Sequence, residues 1–340
     1  MKRAIIFLVI LSAILLISDL SQRAAKETSL TNIAVFKHSS RPTLDNTERG
    51  IIDALKQRGF LDGKNIDLTY YCAENDMPTA NTIASEIINQ DYDMVLTTST
   101  TILQVMANAN RNGKIIHVFS AVTDPFSAGV GLSKNNLDDR PHYLAGIGTF
   151  QPVEDAMLVA RTMYPDLKKL GTVWCNFEAC SEACVNVARM ACDSLNIELL
   201  EITIDNSSSV LEATNALIAR GVQALWVGGD NTVEIAMDVM VDAAFKAGIP
   251  VFCNNPDRAE SGALFGLGAN YYQVGLAGGN IAADILEGKK PYEIPVQDVI
   301  SEKLVINEGV IKLLRENWTI SPEVRELAER ILFSDENPGI

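Results

Sequence analysis

"NIAVFKHSSRPTLDNTERGIIDALKQRGFLDGKNIDLTYYCA", residues 32–73, decides the fold. Its first seven residues form a short apolar run that stops at His38-Ser39-Ser40 and reads as a buried strand. "LDNTERGIIDALKQRGF" follows as an amphipathic helix, and "NIDLTYYCA" closes the unit as a second strand. A strand, a helix of this length and another strand predict a right-handed crossover in a parallel sheet.

The same alternation continues outward. Helix "MPTANTIASEIINQ" carries Pro78 near its start, and strand "YDMVLTTS", helix "TILQVMANANRNG" and strand "KIIHVFSAV" come next. A polar, loop-rich stretch, "SAGVGLSKNNLDDRPHYLAGIGTF", interrupts the series before Pro152. Alternation then restarts with helix "VEDAMLVARTMYP", strand "KLGTVWC", helix "EACVNVARMACDSL" and strand "IELLEITI". Helix "VLEATNALIARG", strand "ALWVGGD", helix "VEIAMDVMVDAAFKAG" and strand "IPVFCNN" complete it. Glycines and asparagines mark the helix ends. Two similar α/β lobes are expected, each a Rossmann-like unit with a parallel sheet.

Length and charge narrow the function. A chain of 340 residues exceeds the usual single core, in keeping with two lobes. A hydrophobic content of 47% supplies ample core, while the net charge of −15 argues against nucleic acid as a partner. The N-terminus has Lys2 and Arg3, then an apolar run of about 14 residues from Ala4 to Ile17. That pattern reads as a secretory signal peptide, short for a membrane span; an uncleaved N-terminal anchor is the alternative. Of the six cysteines, Cys175, Cys180, Cys184 and Cys192 cluster in sequence. They have no CxxC pair and no neighbouring histidine, so buried thiols or one disulfide are expected ahead of a metal site.

The segment 262–307, "GALFGLGANYYQVGLAGGNIAADILEGKKPYEIPVQDVISEKLVIN", reads as a strand, a helix rich in small residues and a further extended stretch. Together with "LDNTERGIIDALKQRGFLDGKNIDLTYYCAENDMPTANTIASEI", "SAVTDPFSAGV", "GGDNTV" and "IPVFCNNPD", it carries a resemblance that covers Ile33 to about Leu313. The chain resembles substrate-binding proteins of ABC transporters of the tryptophan and tyrosine uptake type, with the type I periplasmic binding protein fold. It departs from them at His38-Ser39-Ser40, where a histidine–proline pair is common, and in "CNNPD", where serine is common.

The resemblance implies three hinge crossings between two lobes. Residues 1–26 would be the signal peptide or anchor, 32–148 plus 270–299 lobe I, and 149–269 plus 300–340 lobe II. It also implies an aromatic amino acid as ligand, and a membrane permease with its ATPase as partner. A monomer with no cofactor is expected.

In open α/β sheets, ligands bind beyond the carboxyl ends of the strands. Two facing lobes would therefore border one cleft with both sets of polar strand ends. Lobe I offers His38, Ser39, Ser40, Thr98, Ser99, Thr100, Ser120, Thr123 and Asp124. Lobe II offers Asn176, Glu178, Asp230, Asn231, Thr232, Asn254, Asn255 and Asp257, with Asn270 and Tyr271 near the second crossing. The hydroxyls suit a ligand carboxylate or a helix cap, Asp230 a ligand ammonium or a cap, and Asp124 a turn before Pro125.

Phe36, Phe119, Trp174, Phe177, Trp226, Tyr271 and Tyr272 lie near strand ends, where one or two could stack on a ring. Lys37 and Arg41 are the basic side chains at these loops, too few for a polyanion, so a neutral or zwitterionic ligand is expected.

Enzyme signatures are missing from the sequence: no GxGxxG after the first strand, no GxxxxGK[ST], no GxSxG and no HExxH. His38, His117 and His142 are scattered, and no nucleophile with a base and an orienting group assembles. The expected function is an extracytoplasmic solute receptor of an ABC importer, closing on its ligand by a hinge. A ligand-sensing module of a signalling system with the same fold is the alternative.

Overall fold

The computed structural model describes residues 30–133, 140–298 and 302–333; the stretch read as a signal peptide lies outside them. The first series comprises β1 (Thr31–Lys37), α1 (Pro42–Gln57), β2 (Ile66–Cys72), α2 (Met77–Asn89), β3 (Met94–Thr98), α3 (Thr100–Ala109), β4 (Ile116–Val122) and β5 (Leu144–Gly148). The second comprises α4 (Val153–Met163), β6 (Lys169–Cys175), α5 (Ala179–Ser194), β7 (Glu198–Ile204), α6 (Val210–Ala219), β8 (Ala224–Val227), α7 (Asn231–Ile235), α8 (Met237–Lys246), β9 (Val251–Cys253) and β10 (Phe265–Ala269). The chain ends with α9 (Tyr271–Leu286), β11 (Gln297–Asp298), β12 (Glu302–Asn307), α10 (Glu308–Ile311), α11 (Pro322–Leu327) and β13 (Arg330–Leu332).

These strands form two sheets. One runs β11-β5-β4-β3-β1-β2 and is parallel throughout. The other runs β13-β12-β10-β9-β8-β6-β7 and is parallel except for the β10–β12 pair. The chain therefore passes between the sheets three times, after β5, after β10 and after β11.

Burial explains why the strands read as unbroken apolar runs rather than alternating ones. Ile33 and Val35 of β1 pack with Ile51 and Leu55 of α1 and Ala282 of α9. Ala34 and Phe36, pointing the opposite way, pack with α2 and α3 through Ala80, Ile87 and Ile102. Helices on both faces bury both sets of side chains. The second sheet does the same: Trp226 joins the core beneath α4 and α5, while Leu225 and Val227 join the one beneath α6 and α8.

The helix that returns to the first lobe is held by an interface of glycines. At Gly50 of α1 an added Cβ would overlap the Tyr272 carbonyl oxygen, and at Gly275 of α9 it would overlap the Thr47 carbonyl oxygen. The two backbones approach closely because neither carries a side chain there. The "GLAGGN" run of α9 thus reads as a packing surface.

Three details differ from the sequence reading. The helix expected over 233–248 breaks at Ala236 into α7 and α8, because the Arg258 guanidinium donates to the Glu234 carbonyl at 2.5 Å. β5 forms within the stretch read as loop-rich, its glycines tolerated by close packing against β4. β13 adds a final strand beside β12 that the sequence reading did not anticipate.

Candidate functional site

Strand order places the site. In the first sheet β1 lies between β2 and β3, and in the second β6 lies between β7 and β8. Crossovers leave these central strands in opposite directions, so a crevice opens at their carboxyl ends. The two crevices face each other and share a small cavity of about 40 Å³, partly open to solvent and well below the volume of most small-molecule sites with the lobes as they stand.

Lobe I supplies Arg41, Thr43 and Leu44 from the start of α1, Ser99 and Thr100 from the end of β3, and Ala121 and Thr123 from the end of β4. Backbone strain marks this wall. Ser99 has φ 93° and Ala121 φ 54°, left-handed values that side chains other than glycine adopt rarely. The Ser99 hydroxyl accepts from Ile102 N at 3.3 Å, and the Thr100 hydroxyl accepts from Thr123 N at 3.2 Å. The Thr43 hydroxyl and the Arg41 Nε are buried with no partner among the described residues.

Lobe II supplies Gly228, Gly229, Asp230, Asn231 and Glu234 after β8, Cys180 at the start of α5, and Asn254 and Asn255 after β9. Asp230 is tied to its own lobe. Oδ1 accepts from Val233 N at 2.7 Å, and Oδ2 accepts from Cys175 N at 2.6 Å and the Ser181 hydroxyl at 2.7 Å. Burial, then the nearby Glu178 charge, pushes its carboxyl up to about 7, against the pull of those donors. Glu178 lies one layer behind the cavity. It accepts from Asn231 N and Thr232 N, both at 2.9 Å, and from the Thr232 hydroxyl at 2.6 Å.

Two residues at the crossings complete the lining: Gln151 donates to the Tyr271 hydroxyl at 3.1 Å. Between the lobes, Arg41 Nη1 pairs with Glu234 Oε2 at 2.6 Å, both side chains about nine-tenths buried. Arg41 Nη2 donates to Asn231 Oδ1, and the Asn46 amide reaches Asp257 at 3.3 Å.

Of the residues anticipated from the sequence, Ser99, Thr100, Thr123, Asp230, Asn231, Asn254, Asn255 and Tyr271 line the cavity. Asn254 does so with its amide committed, accepting from Trp226 Nε1 at 2.9 Å and donating to Pro152 and Leu267 carbonyls. Several others have different work. His38, Ser39 and Thr98 are buried away from the lining, each with an unpartnered polar atom. Burial lowers the pKa of His38 despite the opposing Glu178 charge.

Ser40 donates to Asp45, and Asp124 holds the following turn through Ser127 Oγ at 2.6 Å. Ser120 packs against Gly278 of α9, Asn176 is exposed, and Thr232 serves Glu178. Asn270 caps α9 through Gln273 N, and with Asp257 it lines a neighbouring groove near the hinge.

Sequence reading missed Thr43, Leu44, Gln151, Cys180 and Glu234, and noted Arg41 only as a charge. Glu234 looked like an ordinary helix position, and nothing local distinguishes it. Lys37, the other basic candidate, is neutralised by Asp45 at 2.7 Å and Glu48 at 3.3 Å. Among the aromatics, Tyr271 alone lines the cavity; Phe36, Phe119 and Trp226 are core, and Phe177 is exposed. All six cysteines are separate thiols.

Known proteins share this fold. The tyrosine-binding protein of Clostridioides difficile is 31% identical over 283 residues, covering 83% of this chain and 80% of that protein. A conserved domain protein of Vibrio cholerae O1 biovar El Tor superposes with TM-score 0.83 at 31% identity, over 89% of this chain and 100% of that one. The ABC domain of Streptococcus pneumoniae solved with L-Trp superposes with TM-score 0.82 at 22% identity, over 89% and 100% of the two chains, a likeness of fold. A sequence model describing ABC transporter substrate binding proteins matches residues 32–330, and the chain belongs to that family.

Proposed function

We propose that this protein is the extracytoplasmic receptor of an ABC importer and that it clasps one small neutral or zwitterionic solute between its lobes, with an aromatic amino acid as the leading class. The family is one of binding proteins, not enzymes, and such proteins work outside the cytoplasmic membrane. Export by residues 1–26 and delivery to a membrane permease with its ATPase belong to the same proposal, as does action as a monomer.

The observation that carries the reading is the shared cavity. Polar strand ends of two separate sheets converge on it, and buried donors and acceptors of Arg41 and Thr43 lack partners there. Buried polar groups without partners are costly, and a ligand that satisfies them is selected. Ser99, Thr100, Thr123, Asn231 and Asn255 would supply further contacts, and Tyr271 the flat apolar face for a ring. Because the ligand meets both walls only when the lobes are together, it stabilises the closed arrangement. The tyrosine-binding relative supports the amino-acid class.

Native mass spectrometry of the purified protein tests this directly by revealing a co-purified small molecule. Thermal unfolding is the second measurement: a ligand at about 100 times its dissociation constant adds about 2.7 kcal/mol of stability. Absence of any shift across amino acids, sugars and polyols would remove the receptor reading.

A further inference from the structure

We infer that Arg41 and Glu234 are the residues that read the two charges of a zwitterionic ligand, Arg41 taking its carboxylate and Glu234 its ammonium. This deepens the receptor proposal and rests on it. Arg41 is the lysine or arginine of the cavity lining, and both partners of its guanidinium, Glu234 and Asn231, lie in the other lobe. Its Nε remains buried and unpartnered among the described residues, as does the hydroxyl of Thr43, which lines the same cavity. One cation and one hydroxyl on the same wall thus hold unused donors, the chemistry of a carboxylate site.

The acidic partner is Glu234 rather than Asp230. Both Asp230 oxygens are taken by three donors of its own lobe. Glu234 instead keeps Oε2 for Arg41, while Oε1 is oriented by the Asn255 amide, with the Arg258 guanidinium 3.8 Å away. When the lobes part, Glu234 therefore stays aimed into the cleft.

This arrangement selects by charge. An α-amino acid carries a cation and an anion on one carbon, so it can enter between Arg41 and Glu234 and replace one ion pair by two. A ligand with a single charge would occupy one partner and cost the other its ion pair, leaving Arg41 with the Asn231 amide alone or Glu234 with only the longer Arg258 ion pair at 3.8 Å, a costly outcome. A neutral polyol would leave the Arg41–Glu234 pair intact and gain nothing from it. Discrimination thus comes from the penalty on the wrong ligand as much as from attraction to the right one.

Calorimetric titration of the purified protein with L-tyrosine, L-tryptophan, L-tyrosinamide, N-acetyl-L-tyrosine and myo-inositol tests the assignment. Wild type is expected to bind an amino acid about 100-fold more tightly than either single-charge derivative. Arg41→Gln should weaken the amino acid by about 30-fold or more and erase its advantage over the amide, while the N-acetyl penalty persists. Glu234→Gln should do the reverse. These ratios are taken within one variant, so a loss of folded protein does not move them.

An Arg41→Gln protein that still prefers acid to amide as strongly as wild type overturns the assignment. So does tight binding of myo-inositol with no response to the amino acids, which leaves the receptor proposal standing. If no probe binds, the charge assignment falls, and the receptor proposal falls with it only when the wider thermal screen of amino acids, sugars and polyols is silent too.

Discussion

His117 shows how a side chain can be titratable and still belong to the core. It is fully buried in β4, its Nε2 bonded to the Thr97 hydroxyl at 2.8 Å, and burial pushes its pKa down to about 3. An unfolded histidine takes up a proton near pH 6.5, whereas the folded one refuses it until about pH 3. Stability should therefore fall as pH drops from 6.5 toward 3, by up to about 1.4 kcal/mol per pH unit from this one group. Asp230 acts in the opposite sense: its folded pKa of about 7 lies above the unfolded value of 3.8, so its contribution is full below 3.8 and is lost as pH rises from there to about 7. Urea midpoints across this range in wild type and His117→Gln isolate the histidine's slope; an unchanged slope would contradict the burial argument. Asp230→Ala should cost about 1–3 kcal/mol at neutral pH, since a cap and two other donors lose their acceptor. That cost reads directly in the same denaturation experiment. The sequence reading weighed Asp230 as ligand or cap; the three donors around it show the cap, and the residue also lines the cavity.

At the scale of elements, the α1–α9 contact makes the sharpest expectation. Gly275→Ala would drive a methyl group into the Thr47 carbonyl, which is backbone and cannot swing aside. Gly278→Ala meets the Ser120 hydroxyl, the far end of a side chain that can rotate. Gly275→Ala is therefore expected to destabilise by about 1–3 kcal/mol, and Gly278→Ala by clearly less. Thermal unfolding of the two variants side by side checks the order, and equal effects would refute the backbone-contact account. Most elements were legible because burial on both sheet faces writes continuous apolar runs into the strands. Three features were not: β5 is short and glycine-rich, β13 is only three residues long, and the break at Ala236 depends on Arg258, which stands more than twenty positions along the chain.

For the molecule as a whole, the Arg41–Glu234 pair exists only while the lobes are together, so it adds to the closed arrangement independently of any ligand. Arg41→Ala or Glu234→Gln should shift the protein toward an open form, seen as a larger radius of gyration in solution scattering. Cys180 lines the cleft and is buried with its thiol pKa raised well above normal by that burial, then by the Glu178 charge. Opening should increase its alkylation rate by about tenfold, the effect of about 1.4 kcal/mol. Cys192, enclosed in the lobe II core, serves as the internal control in site-resolved mass spectrometry. If both cysteines respond alike, the variant has loosened a lobe rather than the hinge.

The sequence alone determined the two parallel α/β lobes, because the spacing of apolar residues is a local consequence of which faces are buried. It also determined the chemical character of the strand ends that border the cleft. Only the tertiary structure decided which of those polar groups face the cavity and which cap helices, since a serine or an aspartate has the same local pattern in either role. The pairing of Arg41 with Glu234 was likewise decided there. A contact across 193 positions leaves no trace in the residues around either partner, and arises only where two separately folded sheets bring their edges together.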